Sequence, residues 1–315
     1  MVALVERPRT LMQAVQHFTP DAACAYIAGI KWPSGPCCPK CGSVNVGSIP
    51  SRSRFQCREK GCRKQFSLTT GTILEATHLR ADQWCIAVWQ IINCRLGVSS
   101  CEIARTIGCK QQSAWHLLHR IRHVLAASHD EQFSGIVESD ETFVGGLFKF
   151  MSAERRRRAQ VRGREAKAVV HAVKERRSGK VRAEVIPAAN TEYVRDAIME
   201  HAAPGSELHT DESTIYNWAK GSYYKHRAVN HSRGKYVAKG NVHVNGCENF
   251  FNCLRRSVKG IYIKPTQEHL GAYVDEAVFR FNVRELSEWE RFDKAMRLIV
   301  GKRLTYMALT DGAVR

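Results

Sequence analysis

Gly135-Ile-Val-Glu-Ser-Asp-Glu-Thr-Phe-Val144 is the stretch on which the fold turns. Its apolar, β-branched character predicts a strand, and side chains two residues apart on a strand share a face. Asp140 therefore sits inside an apolar run, where an ionised carboxylate is costly unless it is paired or holds a metal. Glu138 shares the face of Asp140, and Glu141 points away from it. Outward along the chain, Ala168–Val173 and Val181–Ile186 predict two more strands and Thr191–Ala203 a helix. Ser206–Thr210 and His226–His231 follow as short strands, and Asn245–Val258 and Glu268–Val283 as long helices. Strands, a helix, short strands and further helices in that order make an α/β domain with a mixed sheet flanked by helices.

Two more acids stand where such a sheet would present them. Leu208-His-Thr-Asp211 ends a short strand in a carboxylate, and Glu248 opens the helix that begins at Asn245. Arg255 lies two turns further on the same helix face, placed to hold a phosphate. Phosphodiester chemistry needs divalent cations to activate an attacking oxygen and shield the leaving one, and hard cations take carboxylate oxygens. Taken singly, each acid also fits a surface or cap residue; Glu138, Glu141 and Glu212 flank the aspartates and are rivals for their roles.

Upstream the composition changes. From Lys31 to Thr70, Pro, Gly, Ser and Cys crowd together without helical period, which describes a small module in need of a staple. Cys38-Pro-Lys-Cys41-Gly can turn two thiolates onto one ion, and Cys57 and Cys62 supply a second pair. The spacer of that second pair is longer than the common knuckle, and Cys37 is an alternative to Cys38. Four thiolates fill a tetrahedral shell, so the one Zn²⁺ expected there is structural.

Leu79–Leu125 carries the apolar spacing of three helices. Ser99 and Glu102 have the spacing of a capping box, Gly108 permits a turn, and a second helix from about Gln111 to His123 follows. That helix bears Gln111, Gln112, Ser113, His116, His119, Arg120 and Arg122 at polar positions, the chemistry of a recognition helix; a plain helical hairpin is the other reading. Nearer the N-terminus, Pro20–Ile30 is helical in pattern, with Thr19 as cap.

Charge decides the partner. The 315 residues hold 48 Lys and Arg against 30 Asp and Glu, a formal charge of +18. Such a surface fits a polyanion, because Lys and Arg contacts to phosphate release condensed counterions. No apolar run reaches the ~18 residues of a membrane span, and the N-terminus lacks a signal peptide's apolar segment, so a cytoplasmic, nucleoid-associated protein without membrane contact is expected. The remaining seven of the 12 cysteines, outside the ribbon and its Cys37 neighbour, fall in helix-like apolar settings and are expected as small buried hydrophobes. The tract Glu154–Lys167 is expected as a solvated basic loop between the first two strands.

From about Pro36 to Glu285 the chain resembles bacterial insertion-sequence transposases of the ISXO type, which place a zinc ribbon before an RNase H-like DDE domain. The likeness rests on CPKCGS, FQC with KQFSLTTGTIL, VESDETFVGG, HTDES, VHVNGCENFFNCLRRSVKGIY and HLGAYVDEAVFRFNVRE, in that order. It implies that Asp140 and Asp211 are the paired aspartates and Glu248 the third acid, together holding two Mg²⁺ (or Mn²⁺) ions. Arg255 stands where a lysine is commoner, and some relatives use Asn as third ligand, which makes Asn245 a second candidate; a charged oxygen favours Glu248. The implied organisation is an N-terminal helical segment at 1–30, the ribbon at 31–72, a helix-turn-helix region at 73–130, the RNase H-like catalytic domain at 131–290 and a tail at 291–315. The implied function is binding of inverted-repeat ends, Mg²⁺-dependent cleavage and strand transfer, by a homo-oligomer on DNA because an element has two ends. The alternatives are a non-catalytic DNA-binding regulator derived from such an enzyme, and an RNase H-like nuclease, for which the helix-turn-helix has no use.

Overall fold

The computed structural model of the chain describes residues 7–126, 131–145, 167–229, 242–263 and 265–310. Two units emerge: one takes in the described residues up to Leu125 and those from Arg284 onward, the other those between Ala126 and Val283.

In the first unit Thr10 and Thr19 accept hydrogen bonds from Gln13 and Ala22 amides and so start α1 (Leu11–His17) and α2 (Pro20–Lys31). Strands β1 (Val46–Ile49), β2 (Arg54–Cys57) and β3 (Gln65–Phe66) form an antiparallel sheet in that order. Its small core is Trp32, Cys38, Cys57 and Phe66, with Phe55 packed against it. α3 (Ala81–Asn93) is buried at every position from Trp84 to Ile92, as a central helix surrounded by others must be. α4 (Ser100–Ile107) and α5 (Gln111–Leu125) are joined through Gly108, whose φ of 67° is the left-handed conformation that closes a helix. Ser99 accepts from the Glu102 amide as the sequence predicts, but the reciprocal half of the capping box is not made: the Glu102 carboxylate pairs with Arg105 instead, at 2.5 Å.

The second unit is built on β4 (Ile136–Val144), β5 (Ala168–Glu175), β6 (Val181–Ile186), β7 (Glu207–Asp211) and β8 (Lys225–Val229). Their order is β6-β5-β4-β7-β8, with β6, β5 and β4 antiparallel and β4, β7 and β8 parallel. Alternation sorts the apolar side chains onto two faces. Val170, Ala172 and Val181 meet Phe250, Phe251 and Leu254 of α7 (Asn245–Gly260) and Val274 and Phe281 of α8 (Gln267–Asn282). Val137, Val169, Val173 and Leu208 meet Val194 and Ile198 of α6 (Thr191–His201), and Tyr216. The mixed α/β sheet flanked by helices is the architecture the sequence predicts. Residues 154–166 of the expected basic loop, and 230 and 231 of the last predicted strand, lie outside the described residues.

The C-terminal segment expected as a tail from 291 is folded where it is described. Ser287 and Glu290 make a complete capping box for α9 (Glu288–Arg297), and α10 (Tyr306–Thr310) follows. Phe292 is fully buried against Phe18, Tyr26 and Trp89, which anchors this segment to the first unit.

Candidate active site

The parallel pairing of β4 with β7 sets the aspartates side by side. Glu138 lies opposite His209, and the same register carried two residues further puts Asp140 level with Asp211 on adjacent strands. Neighbouring strands lie ~4.8 Å apart, and residues paired in register share a face. That face is the one covered by α7, because Asp140 pairs with Ala172, whose side chain packs among Phe250 and Phe251. Glu248 lies half-buried in the first turn of the same helix.

The electrostatics register this convergence. Burial first, then the charges of Glu141, Asp211 and Glu248, push the Asp140 carboxyl up to about 8. Burial is the larger cause, and the neighbouring acids add negative charge beside Asp140 that a bound cation would offset. Among the described residues, however, the three carboxylates do not form a set whose oxygens all lie within 4.8 Å of one another. What brings them together is the strand register of Asp140 with Asp211 and the electrostatic influence of Asp211 and Glu248 on Asp140, not a closed set of ligand atoms.

The rival acids are occupied otherwise. Glu141, on the opposite face, accepts from the Tyr216 hydroxyl at 2.6 Å. Glu138 is only 1% exposed; its Oε1 takes Arg176 and its Oε2 takes the Gly246 amide. Glu212 is exposed beyond the end of β7. Asn245, at the first position of α7, is exposed, whereas Glu248 is half-buried. Arg255 does sit on the site's face: its Nε and Nη2 reach the Thr142 hydroxyl at 3.2 and 3.1 Å, and Thr142 is two residues beyond Asp140 on the same strand face. Sequence reasoning did not find Arg176, His209 and His243, which surround Glu138. Their separation along the chain leaves no local pattern to find.

The ribbon cysteines form a contrasting set. Cys38 and Cys62 lie 3.6 Å apart at sulfur, as do Cys41 and Cys57, and all four sulfurs fall within 4.8 Å of one another. A tetrahedron of ~2.3 Å Zn–S bonds has sulfur edges of ~3.8 Å, so the cluster fits zinc as it stands. Burial opposes ionisation of Cys38, but the Cys41 and Lys40 amides donate to its sulfur and bring the thiol down to about 7. Cys37 stands outside the four and packs against the ribbon core. A second ligand group among the described residues, Glu184, Glu200 and His201, lies on the α6 face of the sheet and has no signal in local sequence spacing.

On α5 the recognition-helix reading needs correction in part. Gln111, Gln112 and Ser113 are exposed and His116 is half-buried, but His119, Arg120 and Arg122 are buried. Arg120 donates to the Glu75 carbonyl and lies over the Trp84 ring. A long cationic side chain can bury its stem and satisfy its head at a carbonyl, which residue type alone does not reveal. The exposed part is the N-terminal turn of the second helix, the part that meets base edges in helix-turn-helix proteins. No helix among the described residues is long and apolar enough to cross a membrane.

Comparison with known proteins agrees with this anatomy. Residues 19–65 match a transposase zinc-ribbon domain and residues 132–282 an ISXO2-like transposase domain. An uncharacterised protein in the transposable element ISH50 of Halobacterium salinarum is 27% identical over 257 residues, covering 78% of this chain and 85% of that protein. A chain of the simian T-cell lymphotropic virus intasome, solved in complex with PP2A regulatory subunit B56 gamma, aligns over 56% of this chain and 63% of its own length. The identity there is 11% and the TM-score 0.29, too low to carry an argument. The chain therefore carries, in sequence order, a transposase zinc-ribbon domain and an ISXO2-like transposase domain, and is similar to a transposable-element protein along most of its length.

Proposed function

We propose that this protein binds the ends of an insertion sequence, cleaves them and joins the freed 3′-OH to target DNA. Asp140, Asp211 and Glu248 are assigned as the ligands of two Mg²⁺ or Mn²⁺ ions, and Arg255 as a phosphate-holding residue beside them. When bound, such ions would polarise the phosphodiester and stabilise the attacking and leaving oxygens. The observation that carries this reading is the in-register placement of Asp140 beside Asp211, with Glu248 close enough to raise the Asp140 carboxyl.

The chain's own residues define the rest of the work. Asp140 and Asp211 leave adjacent strand positions as acceptors on the α7 face, and each is oriented by a backbone amide, of Glu141 and Ser213 respectively. Arg255, already held at Thr142, offers a fixed fork of N–H donors to a phosphate. Cys38, Cys41, Cys57 and Cys62 are assigned to one structural Zn²⁺. The exposed start of α5 is assigned to the DNA major groove, within a helix-turn-helix region at 73–130 that follows the ribbon at 31–72 and precedes the catalytic region at 131–290. Two ends must be held together, so a homo-oligomer on DNA is the working form.

A strand-transfer assay with the element's flanking DNA and Mg²⁺ tests the proposal. The wild-type chain should cleave and join. Asp140→Asn should abolish cleavage and keep end binding, and unchanged cleavage by that variant would refute the assignment.

A further inference from the structure

The three acids share a feature beyond their convergence. The residues two positions before them, Glu138, His209 and Gly246, meet at one guanidinium or at the carboxylate it holds. Arg176, just past the end of β5, directs Nε and Nη2 at Glu138 Oε1, at 3.1 and 3.0 Å. The same Nη2 lies 3.3 Å from His209 Nδ1, 3.2 Å from His243 Nδ1 and 3.1 Å from the His243 carbonyl. The other oxygen of Glu138 accepts the Gly246 amide at 2.7 Å. His209 passes the chain on, with its Nε2 2.8 Å from Glu207 Oε1, so that ring acts as acceptor toward Arg176 and donor toward Glu207.

The bond to Gly246 has a structural meaning. A helix begins with orphan amides that a cap residue's side chain normally accepts at the second or third position. Val244 caps α7 and has no side-chain acceptor to offer. Glu138, from a strand more than a hundred residues earlier, takes the amide of the second helical residue instead. The fit is close: a β-carbon at Gly246 would lie 2.5 Å from Glu138 Oε2 and 2.5 Å from Lys174 Nζ. The helix that carries Glu248 is thus pinned by its second residue to the strand that carries Asp140.

We propose that Glu138 and Arg176 are positioning residues that hold the third acid in register with the two aspartates, and that Gly246 is glycine because this pin requires it. The proposal rests on the assignment of Asp140, Asp211 and Glu248 as cation ligands. On a strand, the residue two before an acid shares its face, so fixing Glu138 and His209 fixes the directions of Asp140 and Asp211. Fixing the Gly246 amide sets the axial position of α7 and with it the approach of Glu248. With one oxygen on Arg176 and the other on the Gly246 amide, Glu138 is assigned to positioning and not to the cations. Partners that orient ligands from behind commonly contribute ~10–100-fold to metal affinity.

The test is Mn²⁺ binding to the full chain, followed as loss of the free-ion paramagnetic resonance signal. It is run on wild type, Asp140→Asn, Glu138→Gln and Gly246→Ala, with thermal unfolding and end binding measured in parallel. Glu138→Gln keeps the shape but removes the charge that Arg176 and the Gly246 amide share. It should weaken Mn²⁺ binding ~10–100-fold, and it should lower kcat for end cleavage while KM for DNA stays unchanged, a split that general destabilisation does not produce. Gly246→Ala keeps every polar group of the network and serves if Glu138→Gln fails to fold; it should show the same loss. Wild-type Mn²⁺ affinity in Glu138→Gln or Gly246→Ala, with Asp140→Asn impaired, overturns this inference and leaves the catalytic assignment standing. Wild-type affinity in Asp140→Asn overturns both.

Discussion

The ribbon and the carboxylate site both gather ligands from separated residues, but they do so in opposite ways. The four cysteines come from two short local pairs, and their sulfurs already stand 3.6 Å apart across those pairs, Cys38 to Cys62 and Cys41 to Cys57. The three acids come from two strands and a helix, and among the described residues their oxygens do not form a common 4.8 Å group. Neutral thiols can pack together as small hydrophobes, whereas carboxylates repel, and that repulsion adds to burial in pushing the Asp140 carboxyl up to about 8. A structural centre can therefore be preassembled by the fold, while a centre of like charges must be held in register by surrounding groups and completed by its cations.

That contrast can be broken at several points. The largest effect should come at the acids: Asp140→Asn or Asp211→Asn should reduce end cleavage to background while leaving the unfolding temperature equal or higher, because each replaces an acid crowded by other acids with a neutral amide. A drop of several degrees in either variant would show the acids to be structural. Next, chelation of zinc or Cys57→Ser should unfold the ribbon, since a structural zinc site supplies ~10 kcal/mol or more of folding free energy in small zinc modules. Metal analysis should then find zinc lost from Cys57→Ser and retained at about one per chain in Cys37→Ser; loss in both would move the ligand set. A smaller effect is expected for Phe66→Ala, which removes a buried ring that faces Phe55 and Trp32. It should cost ~3–5 kcal/mol in the ribbon's unfolding transition with zinc still bound. The smallest is Ser99→Ala, which deletes the α4 cap and should cost ~1 kcal/mol by denaturant titration.

How much of this was legible in the chain follows the same division. The ribbon's thiols are close in sequence, so spacing sufficed. The strands and helices of the second unit follow from β-branched runs and helical period, and the observed bounds of β4, β6 and α7 differ from the expected ones by two residues at most. Two further helices carry a local start signal in the sequence, Thr10 with Gln13 before α1 and Ser287 with Glu290 before α9, both complete capping boxes. The burial of His119, Arg120 and Arg122 could not be read, because a polar side chain on a helix faces solvent or a carbonyl according to what tertiary packing brings. Glu138 shows the same limit from the other side. Sequence put it on the face of Asp140, but only the approach of Arg176 and Gly246 separates a ligand from a residue that positions one.

The central claim, that Asp140, Asp211 and Glu248 form one cation site, is tested most directly by the anomalous scattering of Mn²⁺ in crystals of the full chain. The account predicts manganese density bounded by these three carboxylates, and separate zinc density among Cys38, Cys41, Cys57 and Cys62. Manganese bound elsewhere, with the three carboxylates carrying no ion at saturating Mn²⁺, would contradict it.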